Sequence, residues 1–192
     1  MKKTSIILSV LMIAGCSCPK ADKAEAWKGY DTGTVYFEDK AEGTAGSSIY
    51  HSIIADPESY IQEQAREVLS ILYDSPEDSI TRVDKIYYTL EDTDGISAKG
   101  GGDGYVSIFY STRHIEKSFA DCDTAKVLFE TRGVLLHELT HAYQLEPQGV
   151  GTYGTNRVFW AFIEGMADAV RVAGGGFGPD ARPKGGNYMD GY

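Results

Sequence analysis

The order of local patterns along this chain predicts an α+β fold, with a layer of helices on one small mixed sheet. Two observations carry that expectation. Segments rich in β-branched and aromatic residues, one of them alternating at a period of two, all lie before Ser111. The two most apolar helical patterns come later, one beginning at Val127 and the other at Phe159. A third observation bounds the architecture. Residues 34–192 contain no internal repeat, so they amount to one domain with enough length to bury a sizeable core.

The chain opens with Met1-Lys2-Lys3 and an apolar run from Ile6 to Ala14, which is too short to cross a bilayer as a helix and reads as a signal peptide over residues 1–15. The run closes on Leu11-Met12-Ile13-Ala14-Gly15-Cys16, which resembles a bacterial lipobox. That resemblance implies cleavage before Cys16 and a lipid on its sulfur, which would hold the protein to a membrane in the bacterial cell envelope. Residues 16–33, rich in Lys, Ala and Asp without periodicity, read as a tether. Loss of residues 1–15 removes Lys2 and Lys3 and no acid, taking the net charge from −10 to −12. Such a surface has no basic patch for nucleic acid. Three cysteines, one of them lipidated, make no disulfide framework; Cys18 lies near the anchor, and Cys122 reads as a small buried hydrophobe, the commoner case, or as a free thiol.

Thr34-Val35-Tyr36-Phe37 reads as a short strand. Asp56-Pro57 opens a helix whose apolar positions Tyr60, Ile61, Val68, Leu69, Ile71 and Leu72 recur at helical spacing, and Ser75-Pro76 ends it. Val83 to Leu90 and Tyr105 to Ser111 read as two further strands of the same sheet, with Val106, Ile108 and Tyr110 alternating against Ser107 and Phe109. The Gly-rich stretch between them, Glu91 to Gly104, reads as a flexible loop, either a plain surface loop or a flap. Val127 to Leu145, stopped by Pro147, reads as a long, largely buried helix. Gly133 lies within it, a poor helix former that implies a close packing neighbour.

That helix carries His137-Glu138-Leu139-Thr140-His141. At 3.6 residues per turn the two histidines share one face and can reach one ion, and Glu138 stands off that line, where a general base for a metal-activated water belongs. The pattern points to Zn2+ and peptide hydrolysis. Catalytic zinc takes three protein ligands. A third histidine six positions after His141 is excluded, because Pro147 stands there and Gln144 occupies the position expected to be glycine. The apolar helix from Phe159 to Val170 holds two acids, Glu164 and Asp168, again at i and i+4. Carboxylates on an apolar helix need a cation or donors. Glu164 fits as the third ligand, and Asp168 as acceptor of the N–H on the far side of a ligand histidine. The competing reading makes the pair a solvated acidic edge.

The run Gly133-Val-Leu-Leu-His-Glu-Leu-Thr-His-Ala-Tyr-Gln144, followed by Phe162 to Arg171 and a Gly-rich end Gly-Asn-Tyr-Met-Asp-Gly-Tyr192, closely resembles the basic secretory protein family of plant and bacterial peptidases. The resemblance implies a zincin-like domain over residues 34–192 and a gluzincin-like site. In that site His137, His141 and Glu164 hold zinc, and Glu138 is the catalytic base. It further implies that a sheet-edge strand pairs with an extended peptide substrate, with Tyr105 to Ser111 as the candidate edge. Family members continue past the final Gly-Tyr, so a short or missing lower lobe is expected here. His114, Tyr188 and Tyr192 are candidate donors to a developing oxyanion. The alternative to a peptidase is a non-enzymatic envelope lipoprotein that retains a zinc site for structure or binding.

Overall fold

A computed structural model describes residues 20–178. The leader, Cys16, Cys18, Tyr188 and Tyr192 lie outside them. Four strands, β1 (Thr34–Asp39), β2 (Lys85–Glu91), β3 (Ser97–Gly102) and β4 (Tyr105–Ser111), form one mixed sheet in the order β1-β2-β4-β3. β1, β2 and β4 run parallel, and β3 runs antiparallel to β4. Among the described residues there are six α-helices: α1 (Lys20–Trp27), α2 (Ala45–Ile53), α3 (Pro57–Leu72), α4 (Thr112–Ser118), α5 (Thr124–Tyr143) and α6 (Arg157–Ala173). The architecture is thus α+β with a small mixed sheet, as expected.

Alternation along the strands sets the core. Val35, Ile86 and Val106 align across three strands, as do Phe37, Tyr88 and Ile108, and most of these side chains point to the buried face. That face joins Ile61, Ala65, Val68 and Leu69 of α3 and Leu135 and Leu139 of α5 in one cluster. On the opposite face Tyr36, Tyr87 and Tyr105 remain partly exposed. Local signals start each long helix. Asp56 caps α3, accepting from the Ser59 amide at 3.0 Å with Pro57 at the first helical position; Asp123 caps α5 and Asn156 caps α6.

Gly133 permits α5 to lie close against the end of α6. A β-carbon there would stand 2.6 Å from the Gly176 carbonyl oxygen and 2.7 Å from Arg171 Nε. Gly133→Ala is therefore expected to destabilise the protein by about 1–3 kcal/mol through forced repacking, outweighing the gain in helix propensity. Denaturant unfolding of the two chains measures it.

Four expectations are corrected. Residues 16–33 are not all tether, since Lys20–Trp27 is helical and Trp27 is buried in the core, its ring edge-on to Tyr30. One aromatic anchor needs no periodic apolar stripe, which is why the pattern was silent. The stretch from Glu91 to Gly104 is not one loop, because Ser97–Gly102 pairs with β4 as strand β3. Consequently β4 is an interior strand, and the free edge on that side belongs to β3. Cys122 is exposed with a free thiol in a short 3₁₀ turn, rather than buried.

Candidate metal centre

Helix α5 sets His137 and His141 one turn apart with their rings edge to face, and their Nε2 atoms meet at 3.1 Å. Helix α6 packs against α5 and brings in Glu164, whose Oε2 lies 3.3 Å from His137 Nε2 and whose Oε1 lies 3.5 Å from His141 Nε2. Three donor groups thus converge, each offering one ligand atom, all within 4.8 Å of one another. Tetrahedral coordination with bonds of about 2.0–2.1 Å separates donor atoms by about 3.3 Å. The 3.1 Å separation of the two Nε2 atoms, and the approach of one carboxylate oxygen of Glu164 to each of them at 3.3 and 3.5 Å, lie near that value, so the residues present fit such an ion.

The outer contacts follow the same logic. Asp168 Oδ1 lies 3.0 Å from His137 Nδ1, the nitrogen facing away from the cluster. Gln144 Nε2 lies 2.8 Å from His141 Nδ1. Tyr153 donates its hydroxyl hydrogen to Glu164 Oε1 at 2.9 Å while accepting from Trp160 Nε1 at 2.9 Å. The side chains of Glu164 and Asp168 are only 12% and 13% exposed, which rules out the solvated acidic edge.

Burial and close charges shift the ionisation of these groups. Burial alone pulls the His137 imidazole down, yet hydrogen bonds to Asp168 and Glu164 and the charge of Glu138 outweigh it and raise its pKa to about 9. His141 is held below the usual histidine range by burial and by the charge on His137. Glu164 is drawn down, because its bonds and charge contacts with the histidines exceed the upward push of burial. Glu138 is raised by burial, with His137, Ser97 and Lys99 pulling the other way.

An ion entering this triangle must displace the His137 proton, whereas His141 is already neutral. Below the folded pKa of about 9, apparent metal affinity should therefore rise about tenfold per pH unit and level off above it. Competition titrations against a chelating dye across pH 6–9 (about the range where one histidine proton is at stake) check this; a flat profile contradicts it.

These residues line a cleft of about 400 Å³, closed on its far wall by Ser97, Ala98 and Lys99 of β3 and on the near side by Tyr153 and Ile163. Glu138 opens into it beside the histidines but outside the donor triangle. His137, Glu138, His141, Glu164 and Asp168 are all brought together. His114 is not; it sits at the start of α4 with Glu130 Oε2 at 3.8 Å, away from the cleft lining.

Sequence reasoning missed three participants. β3 had a signal in Asp103-Gly104, the two-residue hairpin loop that joins it to β4. Gln144, three residues after His141, served only to exclude another ligand pattern. Tyr153 lies in an irregular segment between the helices, and no local pattern marks it.

Comparison with curated proteins and with solved structures returns no significant match. A family model described as peptidase of plants and bacteria matches residues 32–192, which include every residue of the centre. By that match over most of its length, the chain belongs to the BSP family, peptidases of plants and bacteria.

Proposed function

We propose that this chain is a zinc-dependent peptidase of zincin-like architecture, in which His137, His141 and Glu164 hold the ion and Glu138 is the general base. The observation that carries the reading is the convergence of His137, His141 and Glu164, whose ligand atoms lie within 4.8 Å of one another, beside the buried carboxylate of Glu138, which is not part of that group. When bound, zinc supplies Lewis-acid polarisation of the scissile carbonyl and of the attacking water. The protein does the rest. Glu138, its carboxyl raised by burial, takes the water proton and passes it to the leaving amine. Asp168 orients His137 through Nδ1. The exposed edge of β3 beside the cleft offers unpaired backbone groups to an extended peptide, a role that interior β4 cannot fill.

The test is digestion of a broad peptide library by the wild-type protein, with metal content measured in parallel. Cleavage that is lost on chelation and restored by zinc supports the reading. Stoichiometric zinc without cleavage favours the envelope lipoprotein with a non-catalytic site. The leader residues further support an exported, lipid-anchored form: Cys16→Ala should move the protein from the membrane to the soluble fraction, and an unchanged membrane fraction removes the anchor.

A further inference from the structure

We propose that Gln144 is a positioning residue for the metal centre: its amide oxygen fixes the proton of His141 on Nδ1 and so presents the Nε2 lone pair to the ion. The assignment rests on the zinc reading above. Gln144 ends α5, where its backbone turns extended (φ −65°, ψ 143°) while its amide N–H still bonds the Thr140 carbonyl at 2.8 Å. That turn folds the side chain back onto the last helical turn, leaving the residue 5% exposed.

Two facts about the amide then stand together. Its Nε2 lies 2.8 Å from His141 Nδ1, and its Oε1 is buried without a hydrogen-bond partner. With the N–H donating into Nδ1, the neutral ring must carry its proton on Nε2, aimed at His137 Nε2 3.1 Å away. A protonated Nε2 has no lone pair for a metal. A half-turn of the amide about Cγ–Cδ exchanges its two ends within the same space. The oxygen then accepts from Nδ1–H, and the Nε2 lone pair is free.

His137 already has this arrangement, with Asp168 behind its Nδ1. Gln144 gives His141 the matching acceptor without adding another carboxylate to a cleft that holds Glu138, Glu164 and Asp168. The amide oxygen thereby holds His141 in its ligating tautomer.

The experiment compares zinc affinity, by competition with a chelating dye, in wild type, Gln144→Met, Gln144→Leu and Gln144→Glu, each first shown to be folded by circular dichroism. Methionine and leucine fill the space with no acceptor and should weaken zinc binding by about 10–100-fold. Glutamate, an acceptor in every orientation, should bind zinc at least as tightly as wild type. A role confined to packing would not produce that split. Wild-type affinity in either apolar variant overturns the assignment, as does a glutamate variant as weak as the methionine one. A wild-type chain that takes up no zinc overturns the zinc reading itself, and this assignment with it.

Discussion

Glu138→Gln is expected to keep its zinc and to lose about 10²–10⁴ in kcat/KM, the share that a positioned general base contributes. The substitution changes one oxygen to nitrogen in a buried side chain, so packing is preserved. The donor triangle of His137, His141 and Glu164 is untouched, and metal content should match that of wild type. What disappears is proton acceptance. A carboxamide cannot take the water proton, and the carboxylate it replaces has its pKa raised by burial, which makes it a stronger base than an exposed glutamate. The measurement pairs metal analysis with initial rates on a cleaved peptide. A variant as fast as wild type removes Glu138 from the mechanism, and one that has lost its zinc shows that Glu138 supports the metal rather than the proton.

Glu164→Ala is expected to lose zinc altogether, with affinity falling by more than the ~100-fold that the loss of an outer hydrogen-bond partner causes. It removes one donor of three and leaves two neutral imidazoles as the only protein ligands. Asp168→Ala is the matched control, because it removes the acceptor from the far side of His137 and leaves the three donor groups in place, and should cost about 10–100-fold. The ranking of the two variants is the result that matters. Equal losses would place Asp168 and Glu164 in the same role, and wild-type affinity in Glu164→Ala would mean that the metal lies elsewhere.

Much of this centre was legible in the sequence because helical spacing is a local property. Two pairs at i and i+4, His137 with His141 and Glu164 with Asp168, each had to share a face once their segments were helical. Burial of the second pair was only one of two readings of its apolar neighbours, and packing of α6 against α5 decided for it. Strand β3 was legible only through Asp103-Gly104. Its own residues, Ser97 to Gly102, have little apolar content because an edge strand exposed on most of its length has no face to bury. Helix α1 was silent for a related reason, since Trp27 is its one large apolar side chain and is buried in the core. Of the candidate oxyanion donors, His114 lies off the cleft lining, and Tyr188 and Tyr192 fall outside the described residues; Tyr153, which lines the cleft and bonds Glu164, arrives there on an irregular segment.

By itself, then, the sequence determined the fold class, the residues of the candidate metal cluster and the family, all of which depend on short-range spacing and residue chemistry. Packing alone decided that Glu164 approaches both imidazoles to within 3.3 and 3.5 Å, that β3 and not β4 borders the cleft, and that Gln144 stands behind His141. The physical reason is one of range. A helix dictates which side chains point together, but distances between α5 and α6, and the order of strands in a sheet, are set by contacts among residues far apart in the chain.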